Sequence, residues 1–74
     1  MELTIGEKIR NLREDCNLTQ SALGKALNMT QRKISYIEKN QYEPSIDDIR
    51  EICKFFRVSA DYLIGLTNSP ERKK

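Results

Sequence analysis

Apolar residues recur at helical spacing in five separated stretches, and no stretch alternates at period two. Ile5, Ile9 and Leu12 stand at i, i+4 and i+7 and predict a first helix over residues 4–15. Thr4 and Glu7 have capping-box spacing at its start. Asn17 follows, in a left-handed stopping conformation, and Leu18 turns inward. Thr19 is the expected N-cap of a second helix, Gln20–Leu27, with Leu23, Ala26 and Leu27 inside. Gly24 costs that helix about 1 kcal/mol against Ala, which makes sense where another backbone passes close by. Asn28 and Met29 form a turn. Thr30 caps a third helix, residues 31–39, whose inward residues are Ile34 and Ile37. Asn40 is its expected C-cap, and Pro44 forbids continuation. Ser45 and Asp48 open a fourth helix with another capping-box pair. Its apolar stripe is Ile46, Ile49, Ile52, Cys53 and Phe56. Arg57 stands where a Gly often ends such a helix, and Val58 turns in. Ser59 caps a short fifth helix, Ala60–Ile64, with Leu63 and Leu66 as inner residues.

Composition narrows the class. Seventy-four residues make one small domain, here expected over residues 1–66, with residues 67–74 a loose polar tail. So small a core relies on well-packed helices or on oligomerisation. No apolar run reaches membrane-spanning length, and the charged start MELTIGEKIR lacks the apolar stretch of a secretion signal, so a cytoplasmic protein is expected. Two cysteines, Cys16 and Cys53, are too few for a disulfide framework. With no histidine and no CxxC, a structural zinc is not expected; a mixed-carboxylate site for a hard cation stays open, but no run has calcium-loop spacing, and no metal or cofactor is assigned.

The net charge of +2 says little, but its distribution says more. Between positions 19 and 42, Lys25, Arg32, Lys33 and Lys39 outweigh Glu38, a local net of +3. Between positions 43 and 51, Glu43, Asp47, Asp48 and Glu51 outweigh Arg50, a local net of −3. The positive half coincides with LTQSALGKALNMTQRKISYIEKN, two short helices joined by a tight turn with polar and basic residues opening the second. That is the pattern of a helix-turn-helix, whose second helix lies in the major groove of DNA.

With EPSIDDIREICKFFRVSADYLIG following it, this stretch closely resembles the phage repressor and Cro family, which includes many bacterial regulators of the xenobiotic-response type. The likeness runs from about Ile5 to Leu66. It is carried by Thr-Gln opening helix two, the small residue Gly24, the Thr30 cap, Ile-Ser-x-Ile-Glu in helix three, Pro-Ser, and the Val-Ser-x-Asp-x-Leu ending. The resemblance implies an all-α, compact five-helix, lambda-repressor-like domain that binds double-stranded operator DNA, usually as a homodimer. Asn17 and Asn28 stand where the family usually has Gly, Gly24 where it has Ala, and Arg57 where it has Gly. None touches the expected DNA face.

On the resemblance, Gln31, Arg32 and Tyr36 match base-reading positions, with Lys33 a further candidate. The chemistry agrees: Arg grips guanine O6 and N7, and Gln grips adenine N6 and N7. Thr19, Gln20, Thr30, Ser35, Lys39 and Asn40 are candidates for the phosphate backbone, since helix N-termini bind phosphates well. Arg13 and Glu38 match a family ion pair between helices one and three. Phe55, Tyr62, Ile64 and Leu66 exceed what so small a core needs and suggest a dimer surface around helix five. The leading reading is a transcriptional regulator, and more specifically a repressor. The alternative is the same fold serving as a protein-interaction module or antitoxin component. An enzyme is not expected: there is no histidine, no Gly-rich phosphate loop and no nucleophile-base pair, and no small-molecule ligand is expected in a chain this short.

Overall fold

A computed structural model describes residues 3–65 of the chain. Five helices follow in order: α1 Ile5–Asp15, α2 Gln20–Leu27, α3 Gln31–Glu38, α4 Ile46–Phe56 and α5 Ala60–Ile64. No strand occurs among the described residues, and none of their helices is long and apolar enough to cross a membrane.

Every helix begins on a hydroxyl cap. Thr4, Thr19, Thr30, Ser45 and Ser59 accept from the backbone N–H three residues on, satisfying a donor that would otherwise have no partner in the first turn. At Thr4 and Ser45 the box is reciprocal, with Glu7 and Asp48 reaching back to the cap amide. The stops are equally local. Asn17, Asn28, Asn40 and Arg57 all take left-handed backbone, with φ between 57° and 60°. Asn tolerates that region; Arg57 has a Cβ to accommodate and makes the α4 stop the most strained of the four.

The core is Ile9, Leu23, Ile34, Ile37, Ile52, Cys53, Val58 and Leu63, at least one residue from each helix. Burial of each large side chain contributes about 1.5–3 kcal/mol. Leu18 and Met29 pack against it from the two turns that flank α2.

Three details differ from the periodicity. Ile46, placed in the α4 stripe, is 78% exposed, because it occupies the first helical position, before the stripe rotates onto the core. Ala26 faces solvent and Ala22 is half-buried, since the inner face of α2 is centred on Leu23. α3 ends one residue early, at Glu38, and Asn40 sits beyond its C-cap Lys39. Leu66 and the tail at 67–74 lie outside the described residues.

Two glycines mark close backbone approaches. Gly24 does what its cost suggested: a Cβ there would lie 2.6 Å from the Met29 carbonyl oxygen, so the turn after α2 folds back over it. Gly6 was not anticipated. A Cβ on it would meet the Ile37 carbonyl oxygen, Asn40 Oδ1 at 2.7 Å and the Glu38 carbonyl at 2.8 Å. The first turn of α1 therefore rests directly on the end of α3. Asn40 closes that contact, accepting from Gly6 N–H at 3.1 Å and donating from Nδ2 to Thr4 Oγ1 at 2.8 Å.

Candidate nucleic-acid interface

Residues 18–40 form two helices joined across Asn28, Met29 and Thr30. The left-handed Asn28 reverses the chain, and Met29 N–H returns to the Gly24 carbonyl at 2.7 Å. Leu23 and Leu27 from α2 and Ile34 and Ile37 from α3 share the core, so the outer face of α3 is set rigidly relative to α2.

A buried carboxylate organises that outer face from behind. Glu38 has a side chain only 3% exposed, in α3's last turn. Arg13 of α1 grips it with two nitrogens, Nε at 2.7 Å from Oε2 and Nη2 at 3.1 Å from Oε1. Arg13 Nη1 also donates to the Leu18 carbonyl at 2.7 Å. The guanidinium thus ties α1, the turn before α2, and α3. Its hydrogen bond to Glu38 raises its pKa above the ordinary arginine value, against a smaller opposing effect of burial.

The remaining acceptor capacity of Glu38 goes to Gln20, whose Nε2 donates to Oε1 at 3.1 Å. A carboxylate can only accept, so the NH2 of Gln20 must face it. Gln20 Oε1 then faces outward and accepts from Gln31 Nε2 at 2.7 Å. One buried charge therefore sets the polarity of two successive amides, the second exposed at the start of α3. Gln31 is left with its Oε1 as acceptor and one N–H as donor.

Arg32 and Tyr36, one turn apart, form a second exposed unit. Arg32 Nε donates to the Tyr36 hydroxyl at 3.2 Å, and the guanidinium carbon lies 5.7 Å from the ring centroid. This pairing pre-orders a long side chain that would otherwise lose rotamer freedom on binding.

Lys33 is placed differently. Its Nζ donates to Asp48 Oδ1 of α4 at 3.1 Å and lies 5.3 Å from the Tyr42 ring centroid. Burial pushes the Asp48 carboxyl up, but the Ser45 amide, Lys33 and the Ser45 hydroxyl together hold it below the usual aspartate value.

Among the residues considered for the phosphate backbone, Thr19 and Thr30 serve as caps, accepting from Ala22 N–H and Lys33 N–H at 3.0 Å each. Ser35 is half-buried, and Lys39 is exposed at the end of α3. The side chain of Asn40 is committed to α1. Around α5, Phe55 is 40% and Ile64 52% exposed. Tyr62 is half-buried, with Lys8 5.0 Å over its ring and donating to its carbonyl at 2.8 Å, which ties α5 to α1. Leu66 lies outside the described residues. No buried side-chain nitrogen or oxygen among the described residues lacks a hydrogen-bond partner, so these polar links come without an orphaned group.

Sequence reading did not reach Gly6, the Glu38–Gln20–Gln31 relay or the Lys33–Asp48 pair. Only Gly6, a helix-weakening residue in a first turn, carried a local signal.

Comparison with known proteins agrees with this geometry. Residues 9–63 match a family described as helix-turn-helix. The uncharacterized HTH-type transcriptional regulator MJ0272 of Methanocaldococcus jannaschii is 39% identical over 54 residues, covering 73% of this chain and 82% of that protein. The HTH-type transcriptional regulator ImmR of Bacillus subtilis is 25% identical over 63 residues, 85% of this chain but only 50% of that protein, so the chain spans about half the length of that relative. The crystal structure of the P22 c2 repressor in complex with synthetic operator 9T superposes with a TM-score of 0.80 at 32% identity, covering 85% of this chain and 96% of that one.

Proposed function

Since the chain belongs to the helix-turn-helix family, we propose that it is a cytoplasmic, sequence-specific regulator of transcription, a repressor that reads double-stranded operator DNA with α3. The observation that carries this reading is the edge of Gln31, Arg32 and Tyr36, exposed together on a helix braced through Glu38. Gln31, with one donor and one acceptor left after binding Gln20, matches adenine N7 and N6. Arg32 matches the two acceptors of guanine, and the Tyr36 ring offers an apolar surface to a thymine methyl. Thr19, Gln20, Thr30, Ser35 and Lys39 flank the edge toward the phosphates, where the free amides at the start of α2 favour an anion. Asn40 supports that flank from behind, its side chain bound to α1 and its backbone N–H donating to the Ile37 carbonyl at 3.0 Å.

Exposed Phe55 and Ile64 support a homodimer formed around α5. A twofold dimer places two copies of α3 about 34 Å apart and requires a palindromic operator.

Selection of bound duplexes from a random library, at stated salt, tests the reading. Recovery of a palindrome with half-sites one turn apart is expected. Arg32→Ala is then expected to lose about 1–3 kcal/mol of affinity and relax preference at one base pair. Unselective recovery, or an Arg32→Ala protein with unchanged base preference, contradicts it.

A further inference from the structure

Lys33 is a cation in the first turn of α3, beside Gln31 and Arg32, where a free ammonium would serve any phosphate equally. The fold takes it out of circulation. Asp48, itself 8% exposed, receives the Lys33 ammonium on Oδ1 while Oδ2 accepts from Ser45 N–H at 3.1 Å. The carboxylate cannot swing away with the lysine, because it is also half of the α4 capping box. Tyr42, in the loop between α3 and α4, presents its ring to the same ammonium. Lys33 thus meets an anion on one side and a ring face on another, while Arg32 one position earlier is turned to the exposed edge.

We propose that Asp48 and Tyr42 are specificity-determining positioning residues, which hold the Lys33 ammonium against α4 so that α3 meets DNA through Gln31 and Arg32 without an added sequence-blind phosphate contact from Lys33. This rests on DNA being the ligand of α3. Lys33 adds affinity for any duplex when released; held, it lowers non-specific binding and leaves base reading to dominate.

The test measures binding of a labelled short duplex of random sequence by fluorescence anisotropy between about 50 and 200 mM KCl, where phosphate contacts are strongly salt-dependent. Each protein is first shown to be folded by its circular-dichroism melt. Asp48→Asn keeps an acceptor for the cap and removes the charge that holds Lys33. Its salt slope is expected to steepen by about 0.9, the value of one added phosphate contact. Lys33→Met/Asp48→Asn has the net charge of the parent and is expected to return to the parent slope. Glu43→Gln, which removes a neighbouring charge without touching Lys33, is expected to leave the slope unchanged. On a selected operator, Asp48→Asn is expected to show a smaller preference over the random duplex.

A parent slope steeper than that of the double variant means Lys33 already contacts phosphate and overturns the inference. An Asp48→Asn slope equal to the parent's, or matched by Glu43→Gln, overturns it as well. In these cases the parent still binds DNA, and the proposed function stands. A parent that binds neither the random nor any selected duplex at the lowest salt overturns both.

Discussion

Removing Glu38 is the sharpest perturbation of this domain. Exposed pairs such as Arg10–Glu14, with side chains 61% and 50% exposed, contribute about 0–1 kcal/mol. Arg13–Glu38 is different: its side chains are 12% and 3% exposed, the grip is bidentate, and Gln20 supplies a third hydrogen bond to the carboxylate. Glu38→Ala leaves the guanidinium of Arg13 largely buried with only the Leu18 carbonyl as partner. Removing one member of a buried pair costs about 3–5 kcal/mol. At about 0.05–0.15 kcal/mol per residue, a domain of 74 residues has roughly 4–11 kcal/mol in all. Glu38→Ala is therefore expected to lower Tm by about 12 °C or more, and to leave the protein marginal at ambient temperature. Arg13→Met should cost a similar amount, since it strands the carboxylate. The paired variant Arg13→Met/Glu38→Leu strands neither charge, and is expected to recover most of the loss. Urea unfolding followed by far-UV circular dichroism measures this, with the single variant Glu38→Leu added to close a double-mutant cycle with Arg13→Met, and with the denaturant slope unchanged across the set. A loss under about 1 kcal/mol for Glu38→Ala, or strictly additive losses, would refute the buried-pair reasoning. The rescued variant separates stability from function. It folds without the carboxylate that orients Gln20, so Gln31 loses its imposed polarity, and weaker operator binding is expected despite recovered stability.

Other consequences concern the elements that aim α3. Gly6→Ala would drive a methyl into the carbonyls that end α3 and is expected to cost about 1–3 kcal/mol in urea unfolding, whatever the helix propensity gained. Asn40→Ala removes two hydrogen bonds to the start of α1, each worth about 1 kcal/mol, and puts Ala in left-handed backbone, so the same assay should show at least that sum. Asp48 has a depressed carboxyl pKa in the folded state, so it binds fewer protons there than in the unfolded chain. Its contribution is present above the unfolded value, near 3.8, and is lost as pH falls through the lower folded one. Unfolding free energies measured from pH 5 downward should therefore fall less steeply in Asp48→Asn than in the parent.

The chain of local signals was legible from sequence because each is physically local. A hydroxyl satisfies an amide three residues away, Asn tolerates left-handed backbone, and isoleucines at helical spacing must share a face. These placed five helices, two of them, Gln20–Leu27 and Ala60–Ile64, with the bounds found, and marked Thr19 and Thr30 as caps and Gln31, Arg32 and Tyr36 as an outward edge. Periodicity was weakest at helix ends, and Ile46 shows why: a first-turn residue belongs to a stripe in register but projects beyond the core it lines.

What tertiary structure decided is the use made of the polar residues. Composition shows that position 38 is acidic and position 33 basic; it does not show that one carboxylate lies behind α3 and polarises two glutamines, or that the cation is held by a capping aspartate fifteen positions on. Such links depend on which helix ends meet, and that follows from the packing of Gly6 on α3 and Gly24 on its own turn. Hydrophobic spacing is written in one dimension and survives there. Hydrogen-bond partners are chosen by distance and angle in three, and only the folded chain brings Arg13 and Gln20 within 3.1 Å of the Glu38 carboxylate.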